Sequence, residues 1–327
     1  MDNSTRSLLK NFQSEKKKRF CQASKFSWIL SAILVLTFLN ACSGLSDLNH
    51  SSETDSGNVL AVETFLADIT CNIAGDRMNV DTLLPIVVDL HTYQPAPRDI
   101  IKVARSNIVV INGGGIEVFL SSLLENAGGT HVLITASDGL TATTGNDEFS
   151  QGDPHFWMDP IQVIQYTINI RDCLIKADPA GEQIYRQNAD IYIQKLNGLD
   201  EWIKTQVEQI PVGDRKLITN HDSLGYFAKR YGFEVVGTLI PGLSSESIPT
   251  VRDMIELVDR INASGAKAIF LETGASTNLA DQISGETDVT LVTDLFIGSL
   301  SQPNGPAPTY IEMMEYNVTR IVDVLKY

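Results

Sequence analysis

The long helical pattern at the centre of the chain decides the fold. Residues 181–209 read GEQIYRQNADIYIQKLNGLDEWIKTQVEQ. Apolar residues recur three or four positions apart along this stretch, which is typical of one face of an α-helix. Asp178 and Pro179 precede the pattern and Pro211 follows it, and proline is tolerated in a first helical turn but not in a helix interior. At about 1.5 Å per residue the helix is roughly 44 Å long. We therefore predict a rigid linker helix over residues 181–210.

Short apolar runs alternate with helical patterns on both sides of this linker helix. Such alternation favours parallel sheets that are covered by helices. The predicted fold is therefore α/β, with two lobes at residues 59–180 and 211–327, each a mostly parallel sheet flanked by helices. The predicted strands are 59–62, 108–111, 131–135, 216–219, 234–238, 268–271 and 290–293, and the predicted helices are 64–74, 116–127, 223–231, 248–264 and 309–325. The apolar residues at 84–90 are also predicted to form a strand, which ends near His91 in a proline-rich loop.

The N-terminal segment has the pattern of an export signal. Four consecutive basic residues at 16–19 precede an apolar run at 28–39, which is shorter than the roughly 20 residues that a membrane-spanning helix needs. The run ends in Ala41 and Cys42, a sequence that resembles the lipidation site of bacterial lipoproteins. We predict a lipoprotein signal peptide at residues 1–41, lipidation of Cys42 and a flexible polar tether at residues 42–58. An uncleaved membrane anchor and a buried N-terminal helix are the alternatives.

The composition and charge exclude several classes of protein. The chain has 327 residues, of which 43% are hydrophobic, enough for about two domains and too many for a disordered chain. Residues 1–41 contain seven basic and two acidic residues, so the rest carries 18 basic and 38 acidic residues and a formal charge of −20. A body this acidic is a poor candidate for binding nucleic acid and favours cations.

Three of the five histidines lie in predicted loops near strand-to-helix connections: His91, His155 and His221. In open α/β sheets, ligands bind beyond the carboxyl ends of the strands. Three neutral imidazoles suit Zn²⁺ or another late transition metal. Their spacings of 64 and 66 residues form no local motif, so inert loop histidines are the alternative. His50 lies in the tether, and His131 begins a strand and is predicted to be structural.

These loops together resemble the solute-binding lipoproteins of zinc and manganese ABC importers. Residues 83–97 are similar to the first ligand loop of that family, residues 153–160 to its second and residues 221–232 to its third. Residues 266–272 and 292–294 are similar to its last strands. Leu90 departs from the family pattern, which usually has proline before the first histidine. The resemblance spans nearly the whole chain from Val59 onward.

The resemblance implies a metal site that takes two ligands from each lobe. Its ligands would be His91, His155, His221 and Asp294. Glu272 is the reserve fourth ligand, and its alternative role is to accept a hydrogen bond that orients a ligand. The implied function is to bind a metal outside the cytoplasm, as a lipid-anchored monomer, and to deliver it to a membrane permease. The lobes would move little on loading because the linker helix resists hinge opening.

The donor set favours Zn²⁺, with Mn²⁺ as the alternative. Zinc outcompetes manganese at nitrogen-rich sites, and family members that carry manganese often have glutamate where this chain has His221. Binding is expected to weaken as the pH falls through about 6.5, because only unprotonated imidazole binds metal.

Two other function classes are open at the sequence level. A zinc hydrolase would need an open water position and a carboxylate base, for which Asp222 or Glu272 could serve if Asp294 is not a ligand. The chain has no His-Glu-x-x-His or Gly-x-Ser-x-Gly motif, so we predict that it is not an enzyme. A role in cell adhesion, named for some relatives, has no physical support in the sequence. Cys71 and Cys173 could form a disulfide or stay as thiols.

Overall fold

A computed structural model of the chain describes residues 57–143 and 152–327. The predicted signal peptide, Cys42 and nearly all of the tether lie outside the described residues. Within those two ranges, none of the helices combines the length and the hydropathy that crossing a bilayer requires.

The first sheet has four parallel strands in the order β2-β1-β3-β4. The strands are β1 (Asn58–Ala61), β2 (Asn79–Thr82), β3 (Ile108–Ile111) and β4 (Val132–Thr135), and the helices that follow them are α1 (Thr64–Ala74), α2 (Pro97–Ala104) and α3 (Leu120–Ala127). The inner strands β1 and β3 are almost wholly buried because helices cover the sheet. The edge strand β2 has the alternating exposure of a half-covered strand.

The second sheet repeats this order as β6-β5-β7-β8, again with all strands parallel. Its elements are β5 (Lys216–Thr219), β6 (Glu234–Thr238), β7 (Ala268–Glu272) and β8 (Thr290–Leu295), with helices α6 (Gly225–Tyr231), α7 (Val251–Ser264), α8 (Asn278–Thr287) and α9 (Tyr310–Leu325). The predicted α/β fold with two mostly parallel sheets is confirmed.

Two helices connect the sheets, α4 (Pro160–Ala177) and α5 (Glu182–Val207). The latter confirms the predicted linker helix, and it begins directly after a short 3₁₀ turn at Pro179–Gly181. Its apolar face is buried at Tyr185, Ala189, Tyr192, Leu196, Leu199, Ile203 and Val207, which keeps the three- and four-residue spacing of the sequence pattern.

An ion-pair network fastens the linker helix to both sheets' flanking helices. The guanidinium of Arg230, on α6, donates to both carboxylate oxygens of Asp200 on α5, at 2.6 and 2.8 Å. It also lies 3.3 Å from Asp159, the residue that caps α4. The phenol of Tyr231 donates to Asp200 as well. These contacts, with most partners shielded from water, hold α4, α5 and α6 in one arrangement.

One apolar stretch does not form the strand that its composition indicates. Residues 84–90 lie in a loop, with no residue of that range in a sheet. Val87 has φ 61°, a left-handed backbone that a β-branched residue rarely adopts. The apolar side chains of Leu84 and Leu90 are nevertheless buried. Their hydrophobicity therefore anchors a loop to the protein instead of building a strand.

His131 and the two cysteines of the described residues lie outside the loops that carry the three candidate ligand histidines. The ring nitrogens of His131 lie 2.8 and 2.9 Å from the carbonyl oxygens of Ser106 and Gly128, so this side chain joins the start of β4 to two neighbouring loops. Cys71 is exposed and Cys173 is partly buried, and no disulfide joins them.

Candidate metal centre

His91 is held by a loop that reaches from the first lobe to the second. The loop follows β2 and precedes α2. The backbone N–H of His91 donates to Oδ1 of Asp89 at 2.9 Å, which closes a tight turn. The hydroxyl of Ser245 donates to the other oxygen of Asp89, and the N–H of Val87 donates to Oγ of Ser299 at 3.0 Å. Two second-lobe hydroxyls therefore fix the loop that carries the first histidine.

His155 is almost completely buried, at 1% exposure. Its backbone N–H donates to Oδ1 of Asp153 at 2.9 Å, and its Nδ1 lies 2.8 Å from the same oxygen. A proton on Nδ1 would donate to this carboxylate and leave the lone pair of Nε2 facing the site. Tyr226 of the second lobe donates its hydroxyl to the carbonyl oxygen of Asp153 at 2.7 Å. A role for Asp153 was not predicted from the sequence, although its place two residues before the histidine suits this turn.

The glycine-rich loop after β3 packs directly against the His155 loop. The side chain of Asn112 donates to the carbonyl oxygen of Pro154 at 3.0 Å. Gly114 has φ 68°, and a Cβ at that position would lie 3.0 Å from Cβ of Pro154, so only glycine permits this close approach. The carboxylate of Glu117 accepts the backbone N–H groups of Asn112 and Gly113 and closes the loop.

Trp157 anchors the other side of the same loop. Its Nε1 donates to the carbonyl oxygen of Ile297 at 2.8 Å, and its carbonyl oxygen accepts from the hydroxyl of Tyr310 at 2.7 Å. Its ring stacks on Phe65 with centroids 4.7 Å apart. The His155 loop is a first-lobe segment whose hydrogen bonds run largely to the second lobe.

His221 follows β5 and is 2% exposed. The hydroxyl of Thr219 donates to its carbonyl oxygen at 2.7 Å. Its Nδ1 lies 3.2 Å from Oε1 of Glu272, at the end of β7. The same oxygen accepts from the side-chain amide of Asn220 at 3.1 Å. Glu272 therefore lies behind the imidazole, on the Nδ1 side.

The three histidines converge although they are 64 and 66 residues apart in sequence. One nitrogen from each of His91, His155 and His221 can be chosen so that all three lie within 4.8 Å of one another. The Nε2 atoms of His155 and His221 are 3.3 Å apart. The three ring centroids are separated by 5.0 to 5.5 Å. Three nitrogens at these distances can bind a single metal ion with only small side-chain adjustments.

Burial and charge act differently on the three imidazoles. Burial, together with the neighbouring His155 and His221, lowers the pKa of His91 to about 2, so this ring is neutral. Burial also acts to lower the pKa of His221, but the carboxylate of Glu272 outweighs it and the pKa is raised above its usual value. The pKa of Glu272 is lowered in turn, because stabilisation by His221 outweighs burial.

Asp294 is not part of this cluster. Its carboxylate accepts from the hydroxyl of Tyr316 at 2.6 Å and from Nε of Arg320 at 3.0 Å, on the side of β8 that faces α9. Glu272 pairs with Leu295 whereas Phe270 pairs with Val292, so β8 contains one extra residue between the two pairs. Such a bulge changes which side chains of the strand face the site.

A cavity of about 410 Å³ opens beside the three histidines. The loop after β8 contributes residues 295–299 to its wall. Asp89 and Glu272 are the charged residues of the wall, which contains no Lys or Arg among the described residues. The remaining wall is largely apolar with a few hydroxyl and amide side chains, and an acidic wall of this kind favours a cationic ligand.

Comparisons with known proteins find relatives that are named as metal-binding proteins. The family described as "Zinc-uptake complex component A periplasmic" matches residues 59–324. The manganese-binding lipoprotein MntA of Halalkalibacterium halodurans is 32% identical over 293 residues, which is 90% of this chain and 96% of the relative. The iron-binding protein YfeA of Yersinia pestis is 30% identical, over 89% of this chain and 94% of the relative. A Mn-bound periplasmic metal-binding protein from Candidatus Liberibacter asiaticus is similar in structure, with a TM-score of 0.74 and 30% identity over 82% of this chain and 99% of that one.

Proposed function

The chain belongs to the family of zinc-uptake complex component A, and from that premise we propose that it captures one divalent transition-metal ion on His91, His155 and His221. The observation that carries this proposal is the convergence of three ring nitrogens within 4.8 Å. The family comprises metal-binding components of ABC importers that work outside the cytoplasm and are not enzymes. The hydrolase alternative is therefore dropped. A membrane permease would receive the ion.

The ligand set that we propose has three members rather than four. Glu272 faces Nδ1 of His221, so its role here is to orient that ring and raise its basicity, as carboxylates behind metal-binding histidines do. Asp294 is already paired with Arg320 and Tyr316, and a move to the metal would cost both contacts. We therefore leave Asp294 out of the ligand set.

We propose manganese as the cargo, with zinc as the second candidate. The names of the relative MntA and of the Mn-bound structure support manganese. Three imidazole nitrogens favour zinc, because zinc binds nitrogen donors more tightly than manganese does. The zinc preference that we inferred from the sequence is untested, and zinc is kept as the alternative cargo. Tighter zinc binding in vitro would not by itself exclude manganese transport, since metal availability also decides what is loaded.

Equilibrium dialysis of the purified full chain against Mn²⁺ and Zn²⁺ tests the proposal. We expect one equivalent of metal per chain, and His155→Ala should weaken binding by at least about a hundredfold, as loss of a direct ligand does. Asp294→Asn is the matched control and should bind metal within about threefold of the unmodified chain. Equal losses in both variants, or full retention in His155→Ala, would contradict the ligand set.

A further inference from the structure

The three histidines do not complete the coordination shell of a divalent transition-metal ion. Zinc takes four donors and manganese commonly takes six. Within residues 57–143 and 152–327, no carboxylate or thiolate joins the histidine cluster. Glu272 lies on the Nδ1 side of His221, away from the Nε2 atom that faces His155. The coordination shell therefore has room for further donors, which water or a bound small molecule can supply.

The cavity beside the cluster is far larger than an ion and its remaining waters need. Its volume is about 410 Å³, whereas a water molecule occupies about 30 Å³ of liquid volume. A volume of this size falls within the roughly 300–1,000 Å³ typical of pockets for small organic ligands. The space therefore suits a small molecule that accompanies the ion.

The cavity wall shows what kind of molecule fits. Leu239, Leu279 and Phe296 give the wall apolar surface. Water gains nothing from contact with such surface, whereas an organic ligand does. Asn220 and Ser276 add a few hydrogen-bonding groups. Asp89 and Glu272 give the wall negative charge, with no Lys or Arg to balance a polyanion. A divalent ion bound to one singly charged chelator keeps a net positive charge and matches this wall.

We infer that the cargo binds as a ternary complex, in which a small monoanionic chelator of the amino-acid class fills the cavity and completes the metal's coordination. The chelator's carboxylate oxygen and amine nitrogen would occupy the coordination positions opposite the three imidazoles. Its remaining atoms would contact the apolar wall. The inference rests on the proposed function, because the ion must first bind the histidines.

Dual-label equilibrium dialysis of the full chain tests the ternary complex. Zn²⁺ and Mn²⁺ are supplied at a buffered free concentration with labelled L-histidine as the probe, and with labelled citrate as the polyanionic comparison. We expect one L-histidine retained per metal ion, none without metal, and an apparent affinity for metal at least about tenfold higher when L-histidine is present. Citrate should be retained at less than about a tenth of that level.

The possible failures are distinct. When metal and L-histidine are supplied together, retention of the metal with no L-histidine beside it would overturn the ternary complex and leave the proposed function standing, with water completing the shell. Citrate retained as well as L-histidine would overturn the charge class of the chelator. Absence of metal retention in every buffer would contradict the proposed function itself.

A substitution in the cavity wall tests where the chelator binds without changing the three histidines. Ser276 lines the cavity but is exposed at the start of the segment leading into α8, so a large side chain can be introduced without disturbing the core. Ser276→Trp should lower the ratio of retained L-histidine to retained metal at least about tenfold, whereas Ser276→Ala should keep a ratio near one. An unchanged ratio in Ser276→Trp, with the native circular dichroism spectrum, would place the chelator elsewhere and overturn the inference.

Discussion

At the scale of single residues, a carboxylate lies behind two of the three imidazoles that we propose as metal ligands. Asp153 lies 2.8 Å from Nδ1 of His155, and Glu272 lies 3.2 Å from Nδ1 of His221. A carboxylate at the Nδ1 side of a metal-binding imidazole orients the ring and makes the opposite nitrogen a better donor, and this is the role that we propose for both. His91 has a different environment, because burial lowers its pKa to about 2. Its imidazole is therefore neutral.

The raised pKa of His221 predicts the pH dependence of metal binding. Glu272 stabilises the imidazolium, so a proton competes with metal at His221 at a higher pH than at an ordinary histidine. His91 does not compete, because its pKa is lowered. Metal affinity should therefore fall about tenfold per pH unit as the pH drops below the pKa of His221. Titrations between pH 5 and about 8.5 measure this slope.

Glu272→Gln provides the control for that pH dependence. Removal of the negative charge should lower the pKa of His221 and move the loss of metal affinity to lower pH. A midpoint that stays in place in Glu272→Gln would show that another group controls the competition.

His221 is also the residue at which metal preference can be changed. A glutamate there would replace a nitrogen donor with a harder oxygen donor, which favours manganese relative to zinc. His221→Glu should therefore raise the affinity for manganese relative to zinc on the order of tenfold or more. His221→Gln, which has no charge, is the control. Competition titrations with both metals measure the ratio, and an unchanged ratio in His221→Glu would count against the donor-set argument.

At the scale of elements, the ends of strands decide which parts of the site could be predicted. The loops of His155 and His221 contain strong motifs, and the structure places His155 next to a helix start and His221 directly after a buried strand. Their role as metal ligands stays a prediction. Asp294 was not brought to the cluster, since the extra residue in β8 changes the facing of the side chains after Val292. A bulge leaves no pattern in a single sequence that distinguishes it from a regular strand.

Elements with little apolar content were missed for a related reason. The edge strand β2 buries only part of its surface, and its alternation spans just four residues. Helix α8 contains Gly285 and several polar residues, and only Ala280 and Ile283 are buried. The apolar stretch at 84–90 was wrongly predicted to be a strand. It is buried as a loop, because it contacts the second lobe, and a sequence pattern does not record such contacts.

The N-terminus of α9 carries a prediction about stability. Asp68, on α1, accepts the backbone N–H of Tyr310 at 3.0 Å. Burial outweighs this hydrogen bond and raises the pKa of Asp68 to about 6. The folded state therefore favours protonated Asp68, and this contribution to stability is complete below about pH 4 and lost as the pH rises through about 6.

Asp68→Asn removes the cost of ionising this buried carboxyl group. Its amide oxygen can still accept the N–H of Tyr310, so we expect the free energy of unfolding at pH 7.5 to rise by about 3 kcal/mol, with little change at pH 4. Asp253→Asn is the control at another helix N-terminus. The pKa of Asp253 is lowered by its bonds to Thr250, so this variant should lower stability at pH 7.5. Urea unfolding at both pH values gives the comparison, and a loss of stability in Asp68→Asn at pH 7.5 would contradict the burial argument.

At the scale of the whole molecule, hydrogen bonds and ion pairs join the two lobes. The Arg230 network joins α4, α5 and α6, and the loops of His91 and His155 bond to second-lobe residues. Because these contacts exist together with the long linker helix, we expect the lobes to move little and the loops to adjust on loading. The α/β fold and the linker helix could be predicted because their apolar periodicity is local and regular.

The export signal and lipid anchor at the N-terminus stay predictions, because they lie outside the described residues. Cys42→Ala should abolish labelling of the full chain with a radioactive fatty acid in a bacterial host, because lipidation needs the Cys42 thiol. Cys21→Ala is the control, since Cys21 precedes the apolar run, and should be labelled normally. Labelling that persists in Cys42→Ala would show that the lipidation site was wrongly assigned.

The proposed site requires that three distant histidines bind one metal ion. X-ray absorption spectroscopy of the full chain loaded with one equivalent of Zn²⁺ tests it most directly. We predict a shell with three imidazole nitrogens at about 2.0–2.1 Å, reduced to two in His91→Ala. A spectrum of the unmodified chain with one imidazole or none, or with sulfur donors, would contradict the account.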